Sequence, residues 1–462
     1  MLGAQLMIIL DATVVNIALP HIQAGLHFSA TSLSWVMNGY TLTFGGLLLL
    51  GGRAGDILGR RRMFLAGIGI FTLASLAGGL APNAGVLLAA RAVQGVGGAL
   101  ASPAVLALVV SGFAEGRERV RALAVYSGVV TAGGSLGLVL GGLITQWASW
   151  RWVLFVNVPI GVAVMLLTPR FVTETPRQPG RFDLPGAVTS TAGVAALVYA
   201  FIRAASDGWG DHLALAAFAA AAVLLVAFVL NETRAAQPIT PLRLFTDRSR
   251  AASYVARLLL VAGMFGMFFF LTQFIQDVLG FSPVKAGLAF LPMTAALFTV
   301  SRLAPRLMNR FGAKPLMLAG LAPAIAGLAW LGLISPATTY WPGVLVPMLL
   351  MGCGLGLAFV PLTTASLAGI AAKDSGAASA MVNVTQQVGG ALGLAALVTV
   401  YGHAARSASG HSLAGSGPLT QAQQVFAHGV AASFATAAVF DTVAILVILA
   451  AVRLRAIAAT SR

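Results

Sequence analysis

The sequence predicts an all-α membrane protein with fourteen transmembrane helices: two six-helix bundles plus two inserted helices. Three observations carry this. The 462 residues are 58% hydrophobic and only 9% charged, where a soluble domain holds about 25% charged residues. The apolar residues gather into runs of about 17–25, the length that crosses a bilayer as a helix. The basic residues between the runs are dense on one side and sparse on the other, as the positive-inside bias requires.

Taken in order, the first six runs are Leu2–Leu19, Ser32–Gly52, Met63–Leu80, Gly85–Val110, Val120–Thr145 and Trp152–Thr168. Two more, Leu184–Ile202 and Leu213–Leu230, are flanked by the charged segments Pro169–Asp183 and Asn231–Arg250 and read as an inserted pair. The last six are Ala251–Gln273, Val284–Leu307, Pro315–Ile334, Pro342–Leu367, Gly376–Tyr401 and Gly429–Leu454. The domains expected are therefore residues 1–169, 170–250 and 251–462. The first run starts at Met1 with no polar lead, so a short preceding tail is expected; no basic leader with a cleavage site is read.

The charges set the orientation. With the connection after the second run placed in the cytoplasm, 23 of the 28 Lys and Arg fall on cytoplasmic connections and helix ends, among them the stretch from Arg234 to Arg257. Four lie outside (Arg151, Arg203, Lys285 and Arg406), and Arg91 lies within a run. Both termini are then cytoplasmic, in the cell membrane. The same placement accounts for the net charge of +15 without a nucleic-acid partner. The single cysteine, Cys353, excludes an internal disulfide. The six histidines map to outer connections or their edges, and no metal site is expected.

Between the second and third runs stands Gly52-Arg53-Ala54-Gly55-Asp56-Ile57-Leu58-Gly59-Arg60-Arg61-Arg62. So short a connection makes its two helices antiparallel. Asp56 precedes Arg60 by four residues, the spacing of an ion pair on one helical face. The chain also repeats itself. Asn309-Arg310-Phe311-Gly312-Ala313-Lys314 follows the tenth run as Asp56 to Arg61 follows the second. Gly133-Gly134-Ser135-Leu136-Gly137 in the fifth matches Gly389-Gly390-Ala391-Leu392-Gly393 in the thirteenth. Repeated bundles are how many secondary transporters build a site that opens to alternate sides.

Polar residues inside apolar runs are costly and are functional candidates by default. Asp11 sits mid-run, where a carboxylate must be protonated, paired or in a wet cavity, and can exchange a proton. Arg91 has Gln94 one turn on; the alternative is snorkelling to the outer surface. Asp441 lies mid-span in the last run as a second protonation or cation site. Asn383, Gln386 and Gln387 line a cavity or bond between helices. Gly133, Gly137 and Gly141, spaced by four, form one ridge for close helix approach, serving either tight packing or a conformational change.

These residues carry a family resemblance across the whole chain. Gly52, Asp56, Gly59, Arg60 and Arg61, as G-x-x-x-D-x-x-G-R-R, resemble the loop between helices 2 and 3 of the major facilitator superfamily. Leu10-Asp11 through Asn16 to Pro20 looks like the first-helix motif of its fourteen-helix drug:proton antiporters, the EmrB/QacA type. Arg91-x-x-Gln94-Gly95 looks like the helix 4 motif. Trp150-Arg151-Trp152, Phe155, Asn157, Pro159 and Gly161 are similar to the entry to helix 6. One departure is Leu138, where the helix 5 motif has Pro; a kink-favouring element is missing there.

The resemblance implies secondary efflux of lipophilic or amphipathic small molecules, driven by the proton gradient without ATP or cofactor. Consistently, no phosphate-binding Gly-Lys-Ser/Thr loop is found. It implies proton coupling at Arg91 and protonation or substrate binding at Asp11. Asn16, Gln94, Asn157, Asn383 and Gln387 are the expected cavity residues. The Asp56 loop is implied to latch the two bundles in one state. A proton-coupled symporter, or an exporter of one metabolite, is the alternative on the same fold; a sensor lacks the soluble output domain it would need. Protons, a small-molecule substrate and lipid are the expected partners; an accessory protein is not legible.

Overall fold

The computed structural model describes residues 1–112, 117–174, 182–235, 237–370, 375–409 and 418–452. Every element of regular structure among them is helical. In order they are α1 (Leu2–Leu26), α2 (Ser34–Leu58), α3 (Arg60–Gly79), α4 (Ala84–Gly112), α5 (Arg117–Trp147), α6 (Trp152–Phe155) and α7 (Asn157–Phe171). Then come α8 (Leu184–Asp207), α9 (His212–Arg234), α10 (Arg248–Gln273), α11 (Pro283–Ala289) and α12 (Leu291–Phe311). The last four are α13 (Ala313–Leu331), α14 (Leu345–Ser366), α15 (Ser375–Ser409) and α16 (Pro418–Ala451). A π-helical turn, Phe274–Val278, extends α10.

Three acids outside the bundle interiors start helices. Asp183, Asp211 and Asp247 precede α8, α9 and α10 and accept hydrogen bonds from the backbone N–H of Gly186, Ala214 and Arg250 at 2.9, 2.9 and 2.8 Å. Each satisfies an orphan donor and sets a negative charge against the positive helix end. Asp211 is further held by Arg203 at 3.1 Å, and that hydrogen bond keeps its carboxyl below the usual carboxylate range.

Fourteen crossings are expected from the sequence, but only twelve helices among the described residues are long and apolar enough to cross a membrane, counting α6 with α7 and α11 with α12. The two expected crossings outside that count are α2 and α5; in α5 the apolar stretch among the described side chains is Leu136–Trp147. α2 has the length, 25 residues, but Asn38, Arg53, Asp56 and its glycines dilute its apolar content. The reason is its packing. α2 lies along α4 and buries Ser34, Asn38 and Thr41. A helix face that meets protein need not be apolar.

Two expected single spans are broken. Trp152–Thr168 becomes α6 and α7, interrupted at Val156, so Asn157 opens α7. Val284–Leu307 becomes α11 and α12, interrupted at Phe290. By contrast α1 runs on to Leu26 through Pro20 and closes on His27 in the left-handed conformation. α5 runs unbroken through Leu138, the position that departs from the antiporter motif.

The chain divides into two compact units, one of Met1–Ile239 with Ile275–Leu288, the other of Thr240–Phe274 with Ala289–Arg462. In the first, α1 packs on α5, α2 and α3 on α4, and α8 on α9. Its core sets Tyr40, Phe44, Phe64, Ile68 and Phe71 against the small residues Ala99, Ala101 and Ala104 of α4. In the second, α10 packs on α15, and α12 and α13 on α14. Three pairings recur: α1 on α5, α2 on α4 and α3 on α4 have their counterparts in α10 on α15, α12 on α14 and α13 on α14. So does the turn geometry: Gly59 and Gly312, at matching points of the repeat, both have positive φ, 110° and 87°. Of the basic residues that set the expected orientation, Arg177, Arg181, Lys373, Arg453, Arg455 and Arg462 lie outside the described residues.

Candidate functional site

Five helices of the first unit converge on Asp11. Its carboxylate, 1% exposed, accepts three hydrogen bonds. Arg91 Nη1 of α4 donates to Oδ2 at 2.5 Å. Gln94 Nε2, one turn on along α4, donates to Oδ1 at 2.6 Å. Asn157 Nδ2 at the start of α7 donates to Oδ1 at 2.9 Å. All three partners donate, so the carboxylate serves solely as acceptor.

Arg91 is equally buried, and it is held from three sides. Its Nε donates to the Val36 carbonyl of α2 at 3.1 Å and its Nη1 also to Gln94 Oε1 at 2.7 Å. Its guanidinium lies 4.6 Å from the centre of the Tyr40 ring, a cation–π distance. Small residues make this possible: a Cβ on Gly95 would stand 2.5 Å from the Tyr40 carbonyl, so only glycine lets α4 come this close to α2. Ser75 of α3 closes the network, accepting from Gln94 Nε2 at 2.9 Å and Asn157 Nδ2 at 3.4 Å. Snorkelling of Arg91 to the surface is thereby ruled out.

Chemically, this is one acid facing one fixed cation with neutral amides completing the shell. A proton added to Asp11 would turn an acceptor into a donor and leave Arg91 without its counter-charge. The contact between α1, α4 and α7 would then have to rearrange.

The structure brings Asp11, Arg91, Gln94 and Asn157 together. It does not bring Asn16 into that shell. Asn16 is buried further along α1, and no hydrogen bond to Asp11 comes from it. The ridge of Gly133, Gly137 and Gly141 faces α1, against Ile9, Thr13 and Val14; a Cβ on Gly141 would lie 2.9 Å from the Val14 backbone. Gly52 faces Pro103 of α4. Asp56 pairs with Arg60 at 2.9 Å as its spacing predicts. The backbone N–H groups of Arg61 and Arg62 at the start of α3 are capped by Glu174 at 3.0 and 3.2 Å.

In the second unit, Asp441 of α16 is fully buried beside Gly263 of α10, and neither carboxylate oxygen has a hydrogen-bond partner among the described residues. Asn383 is exposed and bonds back to Ser379 of its own helix, and Gln387 is half-buried on α15. Sequence reasoning missed Ser75, Tyr40 and Glu174. A serine or tyrosine in an apolar run has no distinguishing pattern. Glu174 sits in a charged segment that reads as a solvated linker.

Residues 1–394 match the sequence profile of the Major Facilitator Superfamily. The chain belongs to that family. As a member it is a multi-pass membrane transporter of small molecules and not an enzyme. It is 45% identical over 408 residues to the puromycin resistance protein of Streptomyces alboniger, covering 86% of this chain and 80% of that one. It is 43% identical over 404 residues to the cephamycin export protein of Amycolatopsis lactamdurans, covering 86% and 83%. Among solved structures, a bacterial homologue of the human lysosomal transporter Spinster superposes with a TM-score of 0.67 at 16% identity, covering 98% of this chain and 95% of that one. That last likeness is one of fold.

Proposed function

We propose that the protein exports amphipathic or lipophilic small molecules, antibiotics among them, across the cell membrane in exchange for protons. The names of its relatives, one for puromycin resistance and one for cephamycin export, support the substrate class. The observation that carries the coupling is the Asp11 carboxylate, buried against Arg91 and shared by Gln94 and Asn157.

In this reading a proton from outside neutralises Asp11 and releases its hold on Arg91, and the transporter adopts the state that discharges substrate. Return to the inward state discharges the proton inside. Coupling requires that proton and substrate bind the two states unequally. Asp441 is the second acid available for protonation. Asn16, Asn383 and Gln387 join Gln94 and Asn157 as cavity residues. The Gly52–Arg61 loop and the Gly133, Gly137 and Gly141 ridge are the elements that shift.

We also assign the chain to the fourteen-helix drug:proton antiporters, with α2 and α5 as crossings thirteen and fourteen. At 25 and 31 residues both exceed the ~20 that span a bilayer. Both termini are then cytoplasmic, and the proton gradient is the sole energy source, with no bound cofactor. The test is puromycin uptake into inverted vesicles energised to an acid interior. Asp11→Asn and Arg91→Ala proteins that reach the membrane in normal amount are expected to lose it. Full uptake in both would remove the pair from the mechanism, and puromycin moving with the protons would make the protein a symporter.

A further inference from the structure

We propose that Arg257 in the second unit binds the oxyanion group of the transported solute, so that carboxylate-bearing amphipathic compounds are among its substrates. This deepens the exporter reading and rests on it for the word "transported"; the site itself does not depend on it.

Arg257 lies well inside α10 and is 6% exposed. Its Nη1 donates to Thr363 Oγ1 of α14 at 2.8 Å and its Nη2 to Gln386 Oε1 of α15 at 3.0 Å. Its guanidinium stands 5.1 Å from the Phe359 ring centre. Its Nε is buried with no partner among the described residues.

What sets it apart is that neither an acid nor a set of backbone carbonyls holds it. Arg91, just as deep in its own bundle, has Asp11. Arg250, also buried on α10, is held by the carbonyls of Leu244, Ala368 and Gly369. Arg257 has two neutral side-chain oxygens and a ring, and no ion pair to it exists among the described residues. The sequences of α10, α14 and α15 contain no Asp or Glu at all. Asp441 of α16 faces Gly263, six residues beyond Arg257. That is about 9 Å along the helix and about 240° around it, too far to neutralise the charge.

A cation kept inside a membrane bundle without an acid is costly and marks a ligand path. The chemistry of the ligand follows from the donors. The Arg257 Nε–H is unused. Gln386, with its oxygen turned to the guanidinium, has its two N–H groups left over. A cluster with donors to spare and one positive charge fits an acceptor of negative charge, and a guanidinium matches carboxylate or phosphate oxygens in pairs. Phe359 beside it suits the apolar body of an amphipathic molecule. Two sources offer such a group, the carboxylate of a solute and the phosphate of an anionic lipid.

The experiment measures binding without a gradient, to the full chain in phosphatidylcholine nanodiscs. The probes are cefoxitin, which carries a carboxylate, and its uncharged methyl ester. Wild type is expected to prefer the acid. Arg257→Gln should weaken acid binding by about tenfold or more and leave the ester within about twofold. Gln386→Glu, which supplies the missing counter-charge from within, should do the same while raising the unfolding temperature; it keeps the test sound if Arg257→Gln folds poorly. A second arm measures phosphatidylglycerol retained from doped discs. Retention that falls in both variants, with no acid preference in wild type, assigns the oxyanion to lipid. Equal acid binding and equal lipid retention in all three proteins would overturn the site. A wild type that binds the acid through Arg257 but transports nothing in proteoliposomes would overturn the exporter reading and leave the site standing.

Discussion

Asp11 and Arg91 are each costly to bury alone, and each is compensated by the other. Removing one partner of a buried pair typically costs about 3–5 kcal/mol, because the survivor keeps its charge and loses its neighbour. Asp11→Leu and Arg91→Leu should each therefore lower the thermal midpoint of the purified protein strongly. The double variant should recover most of the loss, since no charge is then stranded. Additive losses in the four-protein cycle would mean the two side chains are not energetically coupled. At this scale the sequence singled out residues that the structure brings into one network, but could not join them. Asp11, Arg91 and Gln94 stand out singly because polar groups in apolar runs are rare. Their meeting with Asn157 spans 146 residues of chain, and no local pattern records such a contact. Arg257 was hidden by arithmetic: it fell among the basic helix-end residues that fix orientation, and only its burial separates it from them.

The turn between α2 and α3 shows what one element needs. Gly59 holds φ 110°, a region that other residues enter at a cost of about 1–3 kcal/mol. A Cβ there would also stand 2.8 Å from the Glu174 carboxyl that caps α3. Gly312 has a similar φ, but its nearest neighbour would be Pro315 Cδ at 3.9 Å. Gly59→Ala should thus destabilise more than Gly312→Ala in denaturant or heat, and equal losses would show that Glu174 adds nothing to the turn. In the same way Gly141→Val, pressed against the Val14 backbone, should cost about 1–3 kcal/mol by overpacking. Element existence was readable because apolar run length is a direct signal. The breaks at Val156 and Phe290 were passed over because each lies inside one unbroken apolar run, although Pro292 in the first turn of α12 and Pro159 near the start of α7 are helix-start residues. Nor was the polar burial in α2 readable, which makes that helix long enough to span yet too polar to pass as lipid-facing.

Across the whole chain, the repeat is the most legible feature. Two glycine-centred turns and two glycine ridges recur along it, and the packing of α2 and α3 on α4 recurs in α12 and α13 on α14. The charge asymmetry foretells sidedness, and this can be measured. With Cys353 replaced, a cysteine at Arg62 should react with a membrane-impermeant maleimide only after permeabilisation. A cysteine at Trp209, between α8 and α9, should react in intact cells. Labelling of both from the same side would contradict the assigned topology. The claim on which the functional account turns is that substrate movement exchanges a proton at Asp11. It is met most directly by loading proteoliposomes with puromycin, diluting them into puromycin-free buffer, and following internal pH with a trapped dye. Wild type should acidify inside as puromycin leaves, and Asp11→Asn should show no pH change. An Asp11→Asn protein that acidifies its vesicles as fast as wild type would contradict the account.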